Sequence, residues 1–168
     1  MKLFIFSDTH DRVSKITLIR QAIINEKPNI IIHLGDFVSP FFVNQLFQNI
    51  KKEANVERII LVKGNNDGDI DFLTSVCSKL DIKLYTEYFS EKIENKNILA
   101  FHKPDFVDQL AKSGEFDYIF YGHTHKKIIK KINSTIIANP GTAAGYLADE
   151  STYITLELLS GNIEFHSL

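Results

Sequence analysis

The stretch KLFIFSDTHD, residues 2–11, decides the fold of this chain. Leu3 to Phe6 form an uninterrupted apolar run, typical of a strand that is buried on both faces, and we predict a strand over Lys2–Phe6. The polar residues Ser7 to Asp11 follow the run directly. From Val13 onward apolar residues recur at helical spacing until Pro28 closes the segment. The stretch therefore predicts a strand, a polar loop and a helix.

The same order returns twice more along the first half of the chain. Strands are predicted at Ile30–His33 and at Arg58–Lys63, and each ends in a Gly-containing polar loop. Ser39 is placed to cap the helix between them, with Pro40 at its first position. Strands that alternate with helices favour a parallel or mixed sheet with both faces covered.

The second half of the chain follows a different pattern. After residue 81, short apolar runs pair as hairpins, interrupted by one short helix that Asp105 is expected to cap and that ends near Gly114. No Gly-, Ser- or Pro-rich linker divides the chain, and 168 residues is close to the usual size of one domain. We expect a single domain over residues 1–168, with an α/β sandwich architecture.

Composition limits the classes of partner. The net charge of −2 lacks the positive balance of proteins that bind long nucleic acids. No apolar run exceeds four residues, so we expect no membrane segment and no signal peptide. Cys77 is the only cysteine, which fits a reducing compartment and predicts a cytoplasmic protein. The oligomeric state is left open, with a homodimer among the options.

Side chains that bind metal ions gather where the predicted strands end. They are Asp8, His10, Asp36, Asn65, His102, His123 and His125. Ligands of α/β proteins collect beyond the carboxyl ends of strands, and imidazoles mixed with carboxylate and amide oxygens suit first-row divalent ions. In an extended segment, Asp8-x-His10 and His123-x-His125 would each face one side. Seven ligands suit two ions, and Asp36 is the best candidate to bridge them at the ~3.5–4 Å spacing of two-metal sites.

Five motifs in order resemble those of the calcineurin-like metallophosphoesterases. The motifs are Asp8-Thr9-His10, Gly35-Asp36, Gly64-Asn65-Asn66-Asp67, His102 and Gly122-His123-Thr124-His125. The short length and the ending Asn139-Pro140-Gly141-Thr142 make the chain most similar to the small, single-domain bacterial and archaeal phosphodiesterase branch, whose relatives include the retromer subunit Vps29.

The resemblance implies a four-layer α/β/β/α sandwich of two mixed sheets flanked by helices. It also implies two divalent ions, with manganese as the first choice and nickel, iron or zinc as alternatives. By motif position, Asp8, His10, His125 and Asp36 would hold one ion. Asp36, Asn65, His102 and His123 would hold the other. Asp36, Asn65 and His102 are the expected catalytic residues of a phosphodiesterase that cleaves a small phosphodiester with a hydroxide held between the two ions.

Three further residues are expected to contact substrate. Asn66 stands where many larger relatives carry a proton-donating histidine, so we predict a preference for good leaving groups. Lys103 follows His102 where the family usually has glycine, and it could contact the phosphate, narrow the site or point to solvent. Arg12 could reach a phosphate or lie exposed at a helix start.

Two other functions compete with the enzyme. A non-catalytic metal-binding scaffold of the Vps29 type would have a degraded site, but no expected ligand position is replaced here. A nuclease is disfavoured by the net charge, and a phosphoprotein phosphatase by the sequence after Asp36. His33 is expected to be structural and His166 to be solvated. The basic run that includes Lys127 and Lys130 is expected to protect a sheet edge.

Overall fold

A computed structural model describes all 168 residues. It contains eleven strands: β1 (Lys2–Phe6), β2 (Ile30–His33), β3 (Arg58–Val62), β4 (Lys83–Tyr85), β5 (Tyr88–Ile93), β6 (Lys96–Phe101), β7 (Tyr118–Tyr121), β8 (Lys127–Ile132), β9 (Thr135–Pro140), β10 (Thr152–Glu157) and β11 (Asn162–Ser167). The helices are α1 (Ile16–Glu26), α2 (Pro40–Phe47), α3 (Ile50–Ala54), α4 (Ile70–Lys79) and α5 (Val107–Lys112), with a 3-10 turn at Val13–Lys15. None of them is both long and apolar enough to cross a bilayer.

The strands form two mixed sheets. The first has the order β11-β10-β1-β2-β3-β4, and the second has the order β5-β6-β7-β9-β8. In the first sheet β1 to β4 run parallel, and β10 and β11 pair antiparallel beside them. In the second, β6, β7 and β9 run parallel between antiparallel edge strands β5 and β8. The parallel strands of both sheets end on one side of the sandwich.

Three apolar clusters define the layers. One packs between the two sheets and includes Leu3 and Ile5 of β1. Phe4 and Phe6, on the opposite face of the same strand, belong to the cluster under helices α1 to α4. The third and smallest lies between the second sheet and α5. This arrangement confirms the predicted four-layer α/β/β/α sandwich and shows that its last layer is thin.

Two local predictions are wrong in detail. The predicted helix after Ser39 breaks at Gln48, because Asn49 adopts a left-handed conformation with φ 64° before α3 begins. The residue before α5 is Phe106, also left-handed, and no side chain caps this helix. Asp105 therefore does not have the capping role that its sequence position suggested. Both differences arise at left-handed turns, which local propensity describes poorly.

The predicted cap of α2 is present and gives a stability test. Ser39 is extended, and its Oγ accepts a hydrogen bond from Phe42 N at 3.2 Å. We expect Ser39→Ala to lower the free energy of unfolding by about 1 kcal/mol in urea denaturation. Ser75→Ala, an exposed position inside α4, is the control. Equal losses in the two variants would contradict the cap.

The basic strand β8 lies at the edge of the second sheet. Lys127 pairs with Glu150, and Lys130 Nζ lies 2.7 Å from Asp108 Oδ1. The predicted role of these lysines as sheet-edge charges agrees with this position.

Candidate metal centre

A first group of possible ligands forms beyond the ends of β1 and β7. His125 Nε2 lies 3.2 Å from Asp8 Oδ1 and 3.2 Å from His10 Nε2. The ligand atoms of these three residues all lie within 4.8 Å of one another. Asp8 is fully buried, whereas His10 and His125 are half-buried. The group is thus one carboxylate and two imidazoles, open to solvent on one side.

A second group forms beyond the ends of β2, β6 and β7. Asp36, His102 and His123 bring their ligand atoms within 4.8 Å of one another. Asn65, which follows β3, adds an amide oxygen 3.1 Å from His102 Nε2. Asp36 and His102 are buried, and Asn65 and His123 are exposed. The structure therefore brings all seven predicted ligands into two adjacent groups.

Asp36 lies between the groups. Its Oδ2 is 3.3 Å from His102 Nε2 in its own group and 3.9 Å from His10 Nε2 in the other. One carboxylate can therefore contact ions in both groups, as a bridging ligand of a two-metal site does.

The backbone at these ligands is not extended. Asp8, His10 and Asp36 have φ of 55°, 43° and 58°, and His123 and His125 have 65° and 57°. The expectation that alternate residues of Asp8-x-His10 face one side of an extended segment is therefore wrong. The side chains converge through consecutive left-handed turns, a sparsely populated conformation that concentrates at functional sites.

Hydrogen bonds between loops hold this backbone in place. Asp8 N donates to Gly35 O at 3.0 Å, and His10 N donates to Asp36 O at 2.9 Å. His123 N donates to Asp8 Oδ2 at 3.0 Å, so the loop after β7 is tied to the loop after β1. The geometry of each group is thus set by other loops rather than by its own sequence.

Two imidazoles have a defined orientation. His102 Nδ1 lies 2.7 Å from Leu34 O, and His125 Nδ1 lies 2.9 Å from Tyr146 O. A carbonyl can only accept, so Nδ1 carries the hydrogen in both rings. In the neutral ring Nε2 then presents a lone pair toward its group, which is the usual arrangement of a metal-binding histidine.

The chemistry of the first group fits a cation. Asp8 Oδ1 is buried, and it has no hydrogen-bond donor while the neighbouring His125 ring is neutral, because Nε2 then presents a lone pair. The ion pairs of Asp8 and Asp36 involve histidines alone and no lysine or arginine. Buried carboxylates without a permanent positive partner are costly unless a metal ion balances them. The residues present therefore fit divalent ions.

The pKa values of Asp8 and Asp36 also reflect their surroundings. Burial acts to raise the pKa of Asp8, but the His10 and His125 imidazoles and the Ser7 hydroxyl outweigh burial and hold it well below its ordinary range. Burial likewise opposes ionisation of Asp36, yet His102 and Asn66 lower the pKa of Asp36 to about 2. Both carboxylates stay charged at neutral pH and are available to bind cations.

The imidazoles respond in opposite directions. Burial disfavours the charged form of His102, but the hydrogen bond to Asp36 outweighs it and raises the His102 pKa. The hydrogen bond to Asp8 raises the pKa of His125. Burial and the neighbouring His102 lower the pKa of His123. In the absence of ions, the neighbouring carboxylates therefore favour the protonated forms of His102 and His125.

The three expected substrate contacts lie in different settings. Asn66 donates from its backbone N to Asp36 Oδ1 at 2.9 Å and from Nδ2 to Asp36 Oδ2 at 2.8 Å. The Arg12 guanidinium donates to Ala144 O and lies 4.9 Å from the centre of the Tyr146 ring. Lys103 is exposed beside His102. Asn66 and Arg12 thus already have partners in the protein, whereas Lys103 faces open space.

Sequence reasoning missed a buried carboxylate that supports the centre. Asp67 accepts hydrogen bonds from the backbone N of Asp36, Val38 and Gly64, at 3.0, 2.6 and 2.7 Å. Burial raises its pKa, and these donors act against that rise. The signal was its place in the Gly64–Asp67 motif. Its effect is to fix the turn that carries Asp36.

The segment after β9 supports the same loops. Thr142 Oγ1 donates to Asp8 O at 2.8 Å, and Asn139 Nδ2 donates to Gly122 O at 2.8 Å. This placement agrees with the expectation that the Asn139–Thr142 segment lies beside the site and supports its loops.

His33 is structural, as predicted. It is fully buried, Gly35 N donates to its Nδ1 at 3.1 Å, and its Nε2 lies 3.0 Å from Thr9 Oγ1. Burial lowers the His33 pKa to about 3. His33 therefore remains neutral and ties the loop after β1 to the loop after β2.

His33 predicts a pH dependence of stability for the metal-free protein. Its pKa is near 6.5 when unfolded and about 3 when folded, so the unfolded chain binds the extra proton between these values. Stability therefore falls as pH drops below about 6.5, and we expect His33 to cost about 1 kcal/mol between pH 6.5 and 5.5. The free energies of unfolding of wild type and His33→Gln, from urea denaturation, should diverge by this amount between pH 6.5 and 5.5. Parallel pH profiles would contradict the assignment.

His166 departs from its prediction. It stacks on Tyr153 with ring centres 4.9 Å apart, and its Nε2 lies 2.8 Å from Thr155 Oγ1. It is partly covered rather than fully solvated, because strand pairing of β10 with β11 sets it directly opposite Tyr153.

Comparisons with known proteins agree with this geometry. A family model described as a calcineurin-like phosphoesterase superfamily domain matches residues 1–161. A phosphodiesterase of Methanocaldococcus jannaschii is 33% identical over 150 residues, which cover 88% of this chain and 87% of that protein. The solved structure of an archaeal phosphodiesterase superposes with a TM-score of 0.89 and 28% identity over all of both chains. Zinc-bound Vps29 of Entamoeba histolytica, at 16% identity and a TM-score of 0.68 over 100% and 98% of the chains, shares the fold.

Proposed function

Because this chain belongs to the calcineurin-like phosphoesterase superfamily and is a hydrolase of phosphoric esters, we propose that it cleaves a small phosphodiester with the help of two divalent metal ions. Asp8, His10 and His125 would hold one ion in this proposal. Asn65, His102 and His123 would hold the other, and Asp36 would contribute to both. A pair of such ions supplies an acidified water at neutral pH and neutralises charge on the phosphoryl oxygens.

The protein's own side chains then orient the reaction. Hydrogen bonds to Leu34 O and Tyr146 O keep the Nε2 atoms of His102 and His125 directed inward. Asn66 holds both oxygens of Asp36, and Asp67 holds its backbone. Lys103, exposed beside His102, is proposed to attract the phosphate, while Arg12 acts through the Ala144–Tyr146 segment.

The observation that carries this proposal is the buried Asp8 Oδ1, which has no donor while the facing His125 imidazole is neutral. A buried carboxylate oxygen of this kind is costly unless a bound cation balances it, which supports a metal centre. The scaffold reading is also less supported because the phosphodiesterase relative is the more similar protein.

Metal content and hydrolysis test the proposal together. Wild type loaded with manganese should bind two ions per chain and hydrolyse bis(p-nitrophenyl) phosphate, and a chelator should abolish this until metal is restored. His123→Ala should lose one ion and at least about 100-fold in kcat/KM. His166→Ala, a histidine outside the centre, is the control. Two bound ions without turnover in wild type would identify a scaffold.

The leaving group should matter strongly. Asn66 has no transferable proton, and its amide is already bonded to Asp36, so departing alkoxides lack a proton donor. We expect methyl p-nitrophenyl phosphate to be cleaved at least about 100-fold faster than dimethyl phosphate. Asn66→His should raise turnover of the alkyl ester more than that of the aryl ester. Comparable rates of the two esters in manganese-loaded wild type would contradict this prediction.

Two finer points complete the proposal. Manganese is the proposed ion, because carboxylate, amide and imidazole ligands accept it readily and availability decides among first-row metals. A cytoplasmic location is proposed because Cys77 is the single cysteine and is buried as a thiol, with a pKa that burial raises to about 11.

A further inference from the structure

The two ligand groups differ in the support given to one imidazole of each. His102 Nδ1 lies 2.7 Å from Leu34 O, and Leu34 is fully buried directly after β2. His125 Nδ1 lies 2.9 Å from Tyr146 O, and Tyr146 is 46% exposed in the segment between β9 and β10. The packed core therefore fixes the partner of His102. The partner of His125 depends on the contacts that hold the segment around Tyr146.

The start of this segment is tied to the loop after β1 by backbone hydrogen bonds. Ala143 N donates to Ser7 O at 2.8 Å, and Ala144 N donates to Asp8 O at 3.1 Å. Gly145 then adopts a left-handed conformation with φ 72°, and residues 146–150 are exposed. The backbone bonds to the loop after β1 therefore end two residues before Tyr146.

Arg12 holds the continuation of the segment. Its guanidinium donates to Ala144 O and lies 4.9 Å from the centre of the Tyr146 ring. A guanidinium is attracted to the face of an aromatic ring, and its planar fork keeps N–H donors free for a carbonyl. Arg12 follows His10 by two residues in the loop after β1. It therefore connects Tyr146 to the loop that carries two ligands of the first group.

The Tyr146 ring adjoins the first ligand group as well. Its centre lies 6.4 Å from the centre of the His10 ring. The ring is half-exposed and belongs to none of the three apolar clusters, so core packing does not explain its position. Tyr146 thus adjoins His10 with its side chain and accepts from His125 with its carbonyl.

We propose that Tyr146 and Arg12 are positioning residues of the first ligand group, which together keep the His125 imidazole turned toward its ion. The Arg12 guanidinium holds the segment by its carbonyl and its aromatic ring, and Tyr146 O then directs His125 Nε2 inward. The second group does not share this dependence, because the buried Leu34 O holds His102. This inference rests on the proposed function, since it assigns the residues that support one of the two ions.

Imidazole tautomers test the positioning without metal. Asp8 Oδ1 lies 3.2 Å from His125 Nε2 and would accept a hydrogen from it, so Tyr146 O is the partner that favours hydrogen on Nδ1. Long-range proton–nitrogen NMR of chelator-treated protein at alkaline pH reads the tautomer of each neutral ring. Wild type should carry the hydrogen on Nδ1 in both His102 and His125. Tyr146→Ala should move His125 alone toward the Nε2–H tautomer.

The neighbouring residue supplies the matched control. Leu147 follows Tyr146 in the same segment, and its side chain is 95% exposed. Leu147→Ala should therefore leave both tautomers as they are in wild type. An unchanged His125 tautomer in Tyr146→Ala, or an equal change in His102, overturns the proposal.

Manganese binding measures the consequence for the ions. Calorimetric titration of chelator-treated wild type should show two ions per chain, as the proposed function requires. Tyr146→Ala and Arg12→Ala should each weaken one ion about tenfold, the lower end of the cost of losing a group that orients a metal ligand, and leave the other ion unchanged. Tyr146→Phe, which keeps the ring face, should restore wild-type affinity. Equal weakening of both ions would indicate general damage and overturn the proposal.

A double variant tests whether the two residues act together. If Arg12 acts by holding Tyr146, Arg12→Ala combined with Tyr146→Ala should bind manganese no more weakly than Arg12→Ala alone. Additive losses would reject the link between the two residues.

Hydrolysis separates this inference from the proposed function. Wild type that binds two ions without cleaving bis(p-nitrophenyl) phosphate, together with one weakened ion in Tyr146→Ala, supports the positioning and rejects the proposed reaction. Normal hydrolysis with unchanged manganese affinity in Tyr146→Ala and Arg12→Ala leaves the reaction intact and overturns the positioning.

Discussion

Asp36→Asn is expected to lower kcat/KM for bis(p-nitrophenyl) phosphate by about 1000-fold while the chain stays folded. Loss of a residue that only supports the metal ligands by hydrogen bonding typically costs 10–100-fold in metal affinity or activity. Asp36 contacts both ligand groups, so we expect a larger loss in kcat/KM. Its Oδ2 lies 3.3 Å from His102 Nε2 and 3.9 Å from His10 Nε2. The uncharged amide removes the one anion shared by the two groups.

Hydrogen bonding adds to this effect. Asn66 donates to both oxygens of Asp36, and an asparagine offers only one acceptor. The amino group of the asparagine introduced at position 36 would meet a donor of Asn66 or face the ions. We expect fewer bound ions by elemental analysis and loss of the thermal stabilisation that manganese gives to wild type.

The metal-free variant distinguishes this loss from misfolding. Because His102 and Asn66 favour the ionised form of Asp36 in the folded chain, Asp36→Asn should lower the metal-free free energy of unfolding by about 1–3 kcal/mol and still unfold cooperatively in urea. Asp71→Asn, an exposed aspartate of α4, is the control. Near-normal turnover of Asp36→Asn with two ions bound would reject the bridging role.

Gly64→Ala is expected to disrupt the metal centre by displacing the backbone of the turns that carry it. A Cβ there would lie 2.2 Å from Asp36 Oδ1 and 2.4 Å from Asp36 N. Rotation of a side chain can relieve the first contact but not the second, so the turns after β2 and β3 must separate. The hydrogen bond from Gly64 N to Asp67 Oδ2, 2.7 Å long, would be strained by the same movement.

The expected results are a loss of about 2–3 kcal/mol in the free energy of unfolding and at least about 100-fold in kcat/KM. Urea denaturation and metal titration measure the two effects. Gly68→Ala is the matched control, because a Cβ at Gly68 has no atom within 4 Å. If both alanine variants behave like wild type, the turns after β2 and β3 do not approach each other as closely as described.

The sheet architecture could be predicted because its signals are local. Runs such as Leu3–Phe6 are apolar on both faces, and such runs occur in strands that are covered on both sides. In the structure Phe4 faces the helices and Ile5 faces the other sheet. The short segments between elements were less predictable. The break at Asn49 and the uncapped start of α5 depend on left-handed residues that propensity does not identify.

The candidate site was predictable in composition but not in geometry. Its residue types and strand-end positions indicate a metal centre from the sequence alone. The extended geometry assumed for Asp8 and His10 is wrong, because hydrogen bonds to Gly35 O and Asp36 O hold both in left-handed turns. Those partners are more than 20 residues away in sequence, so no local pattern contains the information.

The sequence by itself determined the layered α/β class, the family and the set of residues able to bind ions, since apolar periodicity and strand-end motifs are properties of short segments. The tertiary structure alone decided the left-handed turns that carry Asp8 and His10, and the support that Asp67 and His33 give to the turns of the centre. These features depend on distances between loops far apart in the chain. Only packing of the two sheets brings such loops into contact.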